Sequence, residues 1–493
     1  MVETNRVGEF PFRKSDPEKR KTDFSEVQVP YSEQEVMKEA ERCLLCGTPV
    51  CIDACPVLLD VRGMNEAAAR GDFKTSYKRI RETNPLLGVT ARCCPQLQGL
   101  CEDACVLKWS GQPIAIGLIQ RYIADWERKH RQPAPSILKD TGKSVAVIGA
   151  GPAGLAASSL LRRYGHKVTI FESSDMAGGT AWYGVPDYHL PKEVLLDEIE
   201  KVKLMGVDIR THVTIGKDIS LSQLMKDNDS VLITTGCKDI RSLEVPGSDL
   251  KGVISGYDFL ETVFSRGLEN YLRKPKYDLG DNIIVIGGGD TSLDCARTAL
   301  RLTKGKATVT VLCIHPKTEL HIDPIMLDEA EEEGVNFEFQ VQTKSFEGDE
   351  KGHLTYAIID RVQMSSGTDF NNPIIIPNKE FKMKCSTILI AIGRGPNSFL
   401  QKKAGINTGK SDSIMITNDF KTSMKGVFAA GDVTSGETLI VKAMEKGREA
   451  AQRVHEYMMN LESNHMSFYE IYYTNKSYDK MLKGEELEGN PPD

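Results

Sequence analysis

Residues 143–154 read Lys-Ser-Val-Ala-Val-Ile-Gly-Ala-Gly-Pro-Ala-Gly. An apolar run that closes on Gly149-x-Gly151-x-x-Gly154 predicts a buried parallel strand, a tight turn and a helix opening at the turn. The first Gly permits the turn, the second lets a pyrophosphate approach the backbone, and the third lets helix and strand pack closely. Pro152 and Ala153 begin the helix, which should run to about Tyr164 and face the phosphates with its positive end. Val168–Phe171 is the second strand of the unit. It ends at Glu172, where a carboxylate can accept hydrogen bonds from a ribose.

A second unit begins at Asn282-Ile-Ile-Val-Ile286. Its loop is Gly287-Gly288-Gly289-Asp290-Thr291-Ser292, with Ser292 in place of the third Gly. Its helix should reach about Thr303, and its second strand is Thr308–Leu312. Two such units predict two nucleotides. Asp294 reads as a charge near a helix N-terminus rather than a ligand contact. After the second strand an acid would favour NAD and arginines NADP. The segment Cys313-Ile-His315-Pro-Lys317 offers neither; His315 and Lys317 suit a 2′-phosphate or a solvated turn equally well. Further strands are expected at Val231–Thr234, Thr387–Ala391 and Val427–Ala430, and a last helix from near Thr438 to about Met458. A strand running into Gly431-Asp432 ahead of a helix can set a carboxylate on a ribityl hydroxyl and aim a helix N-terminus at a flavin ring.

Working outward, the segment before residue 140 shows helical patterning and no alternating strand. Ser32 with Glu35 resembles a capping box, and helices are expected at Met64–Arg70, Phe73–Glu82 and Ile114–Arg128. Residues 1–30 look like an extended arm, and Arg131–Gly142 like a polar linker. Eight of the 12 cysteines fall in this region: Cys43, Cys46, Cys51, Cys55, Cys93, Cys94, Cys101 and Cys105. The run Cys43-x2-Cys46-x4-Cys51-x3-Cys55-Pro56 approaches the spacing of ferredoxin-like motifs, in which the fourth Cys ligates a different cluster from the first three. On that pattern Cys94, Cys101 and Cys105 supply three more ligands, one of them returning to the first cluster. The eighth ligand stays open, as Cys93 or a non-cysteine group. Two structural zinc sites are the rival reading, with disulfides behind it. Cys237, Cys295, Cys313 and Cys385 read as ordinary thiols.

The chain has 493 residues, enough for about three domains. It is 40% hydrophobic and 27% charged, with a net charge of -7. That balance favours solubility and argues against nucleic acid as a partner. Met1–Phe24 lacks the apolar core of a signal peptide, and no apolar stretch suits a membrane span. A cytoplasmic protein with reduced thiols is expected.

With these motifs in place, the sequence from Phe24 to Met458 resembles three related families. They are the small subunit of bacterial glutamate synthase, the large subunit of the electron-bifurcating NADH-dependent ferredoxin:NADP⁺ oxidoreductase, and the N-terminal half of dihydropyrimidine dehydrogenase. The resemblance rests on the two cysteine groups and both glycine loops. It rests equally on Gly178-Gly179 with Tyr183-Gly-Val-Pro-Asp-Tyr-His-Leu-Pro-Lys192, on Ala391-Ile-Gly393-Arg394 with Pro396-Asn397, and on Ala430-Gly431-Asp432. It implies FAD at the first loop, with Gly178, Gly179, Thr180, Tyr183 and Thr438 among its contacts and Ala181–Lys192 covering it. It implies NADPH or NADH at the second loop, with Gly393 nearby. It also implies two [4Fe–4S] clusters, one on Cys43, Cys46, Cys51 and Cys105. The other would be held by Cys55, Cys94, Cys101 and Gln120, a neutral ligand that should raise that cluster's potential. The paired arginines of the family are missing after the second nucleotide strand, and no pyrimidine-reducing or glutamate-forming domain is present.

The expected fold class is α/β. A helical iron–sulfur domain (1–140) precedes an FAD-binding domain (141–278 and 401–493) into which an NAD(P)H-binding domain (279–400) is inserted. The implied activity is electron transfer between NAD(P)H and a partner protein through FAD and the clusters. The partner would be a glutamate synthase large subunit, a small flavin and [2Fe–2S] subunit, or ferredoxin. A non-catalytic relay subunit is the alternative from another class.

Overall fold

Two five-stranded parallel sheets organise the chain beyond residue 143, in a computed structural model that describes residues 12–320, 322–364, 373–396, 398–409 and 411–461. Ser144–Ile148 is the middle strand of the first sheet. Lys167–Phe171 and Asp208–Arg210 lie on one side of it, and Ser230–Ile233 and Val427–Ala429 on the other. The helix Pro152–Arg163 follows the glycine loop as expected and packs against the last helix, Ile440–Met459. The sheet is completed by a strand near the C-terminus, so everything between is an insertion.

The second sheet runs Asn336–Phe339, Thr308–Cys313, Asn282–Ile286, Thr387–Ile390, Val253–Ser255. Its edge strand Val253–Ser255 precedes residue 279, so the second unit reaches further back than the expected boundary. The helices Gly256–Phe264, Asp290–Leu302 and Pro324–Glu332 cover one face through Phe259, Leu293 and Met326. An antiparallel sheet of Val341–Gly348, Leu354–Met364, Pro373–Ile375 and Phe381–Lys384 covers the other through Phe346, Leu354 and Ile359. The chain passes between the sheets along two antiparallel strands, Cys237–Ile240 and Arg394–Pro396.

The N-terminal region is helical, with Glu33–Glu41, Val61–Ala69, Phe73–Arg81, Leu87–Cys93 and Ile116–His130 as its longer helices. The Ser32 capping box forms: Glu35 N–H donates to Ser32 Oγ, and Ser32 N–H to the Glu35 carboxylate. This region is not a separate bead. One apolar core runs from Val36 and Ile80 through Val194 and Leu195 to Val147 and Met444. A buried ion pair, Arg81–Glu198 at 2.6 Å, joins it to the helix Lys192–Leu204.

The arm differs from expectation. It holds a helical turn, Pro17–Arg20, capped by Asp16, and two short strands, Arg13–Lys14 and Gln28–Val29, that pair with each other. Local sequence hides this because the partners are distant. Arg20 and Lys14 meet Glu332, and Arg301 donates to the Asp23 carbonyl at 3.0 Å. Phe24 packs on Tyr188 and Phe264, and Glu26 pairs with Arg92 and Arg121. The arm thus belts all three parts together.

Candidate functional site

A cleft of about 180 Å³ opens where the first sheet's strands end, between the first glycine loop, residues 179–183 and the joint strands. Close packing fixes its floor. A Cβ on Gly154 would lie 2.0 Å from the Gly149 carbonyl oxygen, so only glycine lets the helix seat on the turn. Gly179 stands at φ +55°, and a Cβ there would lie 2.8 Å from the Gly151 Cα. Two bare backbones therefore face each other across the cleft, and Gly178 N–H donates to the Ala150 carbonyl at 2.8 Å. Such a cradle suits a pyrophosphate and rejects side chains.

The expected carboxylates stand at the cleft wall. Glu172 is buried and accepts from the Ala150 and Ser174 amides, each at 2.8 Å. It therefore anchors the glycine loop from the cleft wall. Asp432 accepts from Thr438 Oγ1 at 2.7 Å. Burial pushes its carboxyl up to about 6 against that hydrogen bond, an environment that a hydroxyl donor would relieve. The helix after Gly431 is only the turn Asp432–Ser435; the long helix starts at Ile440. Thr180 and Tyr183 line the cleft, and Tyr183 Oη accepts from Met176 N–H at 3.0 Å.

Two features of the cleft escaped the sequence reading. Arg394 donates from Nε to Glu437 at 2.7 Å and from its terminal nitrogen to Thr180 Oγ1 at 3.1 Å. Its guanidinium carbon lies 3.9 Å from the Tyr257 ring centroid, so it ties both Rossmann units at their joint. Cys237 also lines the cleft, donating from Sγ to the Asp432 carbonyl at 3.4 Å. Burial pushes its thiol up to about 12, so it is neutral. The Gly-Arg motif was a signal for the first; register alone places the second.

The second glycine loop opens the helix Asp290–Leu302, with Gly289 as its cap. Ser292, in place of the third Gly, donates back to the Gly289 carbonyl at 2.6 Å and closes the loop with a hydroxyl instead of a close approach. A Cβ on Gly288 would lie 2.6 Å from Cys313 Sγ, which packs the strand end on the loop. Asp290 accepts from Asp323 N–H at 3.2 Å, and burial raises its carboxyl. Thr291 is exposed at the loop. His315 is half-buried, and Lys317 pairs with Glu331 at 2.5 Å on the surface. A Cβ on Gly393 would lie 3.3 Å from a Glu437 carboxylate oxygen. Asp294 is not a solvated helix-end charge: it is buried, its Oδ1 has no hydrogen-bond partner among the described residues, and burial raises it to about 8. Asn397, the tail from Glu462 and residues 1–11 of the arm lie outside the described residues.

All twelve cysteines are free. Cys43, Cys46, Cys51 and Cys105 line one apolar cavity with Val61, Ile114 and Ile116. Burial pushes Cys51 up to about 12, and Cys105, Cys43 and Cys46 push the same way. Cys55, Cys94 and Cys101 form a second group, each thiol raised by burial, with Cys55 raising both Cys94 and Cys101. Cys93 adjoins this group, raising the Cys94 thiol, but no thiol of the group figures among the causes of its own shift. After burial, its charged neighbours are Asp294, Arg92 and Lys192. Gln120 sits on the helix Ile116–His130, 6% exposed, and its side chain makes no hydrogen bond to a described residue. Among the described residues no three His, Cys, Asp or Glu converge as one ion requires. Thiols spread around a cavity suit a cluster whose ligands bind separate irons.

Comparison with known proteins gives two family matches. Residues 143–447 match the pyridine nucleotide-disulphide oxidoreductase model. Residues 20–132 match the model of dihydropyrimidine dehydrogenase domain II, 4Fe-4S cluster. The glutamate synthase [NADPH] small chain of Bacillus subtilis is 35% identical over 477 residues, covering 90% of this chain and 95% of its own length. That of Azospirillum brasilense is 32% identical, covering 89% of this chain and 92% of itself. Among solved structures, FprA of Mycobacterium tuberculosis in complex with NADPH superposes with a TM-score of 0.53 at 15% identity, over 64% of this chain and 85% of that one. That likeness concerns the fold of the two Rossmann units. No helix among the described residues is long and apolar enough to cross a membrane.

Proposed function

Because the chain belongs to the glutamate synthase small-chain family, an iron–sulfur branch of the pyridine nucleotide-disulphide oxidoreductases, we propose that it delivers electrons from NAD(P)H to a larger partner subunit that forms glutamate. It is an iron–sulfur flavoprotein oxidoreductase with FAD and 4Fe-4S chemistry. The observation that carries the proposal is the seating of both thiol groups and the first glycine loop on one continuous core. When bound, FAD accepts hydride from the nicotinamide, and the clusters pass single electrons onward.

The chain's residues supply binding and geometry. Gly149, Gly151, Gly178 and Gly179 receive the FAD pyrophosphate against bare backbone. Glu172 and Asp432 hold its ribose and ribityl hydroxyls, and Arg394 fixes the joint that brings the second unit over it. Gly287–Thr291 receive the NAD(P)H phosphates, with Lys317 the cation nearest a 2′-phosphate. Cys43, Cys46, Cys51 and Cys105 hold the outer cluster; exposed Leu44 and Val50 line the same cavity. Cys55, Cys94, Cys101 and Gln120 hold the inner one, beside the last helix of the FAD unit. With its thiols kept reduced, the chain works in the cytoplasm.

Anaerobic preparations should contain about eight irons per chain, together with FAD. Stepwise NADPH or NADH should bleach the flavin. If neither reductant does so in iron-replete protein, the dehydrogenase role fails. Copurification with a partner that makes glutamate from glutamine and 2-oxoglutarate tests the partner.

A further inference from the structure

We propose that Arg448, on the last helix of the FAD unit, is a positioning residue that sets the reduction potential of the cluster held by Cys55, Cys94 and Cys101. The proposal rests on the cluster assignment above.

Arg448 is 9% exposed and donates to the Val57 carbonyl at 2.9 Å, reaching across from Ile440–Met459 to the N-terminal region. Val57 belongs to the turn that follows Cys55-Pro56. In that turn Leu58 is held at φ +52°, a left-handed conformation that a leucine adopts only when neighbours enforce it. The turn is closed by the Leu58 N–H, which donates to the Cys55 carbonyl at 2.8 Å, and it brings the Val57 and Leu59 backbone near the Cys55 sulfur, with Arg448 as the nearby cation. Cys55 and Arg448 line the same open groove, about 780 Å³, along with Glu445 and Glu449 from the helix and Asp53 from the opposite wall.

The backbone of the turn and the Arg448 charge favour negative charge on that sulfur, against the three carboxylates of the groove. Hydrogen bonds and positive charge at a cluster's ligands stabilise the reduced, more negative state and raise its potential. Arg448 acts twice, as a fixed charge and as the clasp that holds this turn against the FAD unit. A neutral Gln120 ligand works in the same direction. The first thiol group, in its own cavity, has no such clasp from the FAD unit among the residues that line it, so the two clusters should differ in potential with the inner one higher.

The test uses the full-length holoprotein in an EPR-monitored anaerobic redox titration that reads both clusters. At the wild-type midpoint, Arg448→Gln should lower the reduced-to-oxidised ratio of the inner cluster about tenfold, equal to about 59 mV for one electron. The outer cluster should stay at its wild-type ratio, and Arg448→Lys should restore most of the inner ratio. An inner ratio within about twofold of wild type in iron-replete Arg448→Gln, or equal shifts of both clusters, would overturn the proposal. So would Arg448→Lys behaving like Arg448→Gln. If Arg448→Gln loses iron, Gln452→Glu decides. It leaves Arg448 in place and adds a carboxylate one turn along the same groove, and it should lower the inner ratio about threefold; no change refutes the charge effect. Wild-type protein showing a single cluster signal would instead fail the two-cluster assignment, before Arg448 is tested.

Discussion

Replacing Glu198 by Gln should loosen the helical iron–sulfur region from the FAD unit. Glu198 is buried, pairs with Arg81 at 2.6 Å, and accepts from Gly88 N–H and Lys201 Nζ at 3.2 Å each. Removing one charge of a buried pair costs about 3–5 kcal/mol, mostly because the partner stays buried and uncompensated. Gln keeps an acceptor for Gly88, so the lower end applies, about 3 kcal/mol or roughly a hundredfold in the opening equilibrium. Hydrogen exchange reads this directly. Amides of Leu87–Cys93 and Lys192–Leu204 should exchange about a hundredfold faster, while Asn282–Ile286 in the second sheet stays at its wild-type rate. Adding Arg81→Met should recover most of the loss, since an apolar side chain in place of a buried charge is tolerated. An increase below about threefold in Glu198→Gln, or a double variant as loose as the single, would refute the account. The pH dependence has a definite sign. Burial pushes the Glu198 carboxyl up, but Arg81, Lys201 and the Gly88 amide outweigh it and hold the carboxyl below its ordinary 4.5. The stability it contributes is therefore present above 4.5 and lost as pH falls through the folded value. Glu198→Gln should flatten the acid limb of the exchange profile in that window.

Gly179→Ala should abolish flavin retention, because the new methyl enters the cradle opposite Gly151 at a φ that L residues avoid; the flavin-to-protein absorbance ratio checks it. Cys43→Ser should cost iron and visible absorbance, whereas Cys93→Ser, at a thiol set among Asp294, Arg92 and Lys192, should keep both; equal losses would refute the ligand assignment. Lys317→Ala should raise the KM for NADPH about tenfold and leave that for NADH unchanged. Equal KM values before and after, for both reductants, would leave Lys317 as the surface partner of Glu331.

Both Rossmann sheets were legible because their central strands are buried on two faces and read as unbroken apolar runs: Ser144–Ile148, Asn282–Ile286 and Thr387–Ile390 lie within a residue or two of the expected positions. The antiparallel layer was not. Val341–Gly348 and Phe381–Lys384 alternate with Lys, Glu and Thr, and only one face is covered. The arm was misread for a different reason, since its structure is made by residues about three hundred positions away. At the site, spacing revealed the glycine loops and the cysteine groups. It did not reveal the clasp of Arg448, the tie of Arg394 or the place of Cys237, because each depends on how separate elements are packed. Ser292, which stands in place of the third Gly, is a hydroxyl closure of the same turn.

The belt has a consequence for biosynthesis. Lys14 and Arg20 leave the ribosome before Glu332 and Glu333, which complete their ion pairs and follow more than three hundred residues later. At about 5–20 residues per second that delay is on the order of 15–60 seconds. Throughout it, the nascent thiol-bearing region is without its fastening. Maturation of the metal centres in the cell must therefore either precede fastening or wait for the second nucleotide unit to be translated.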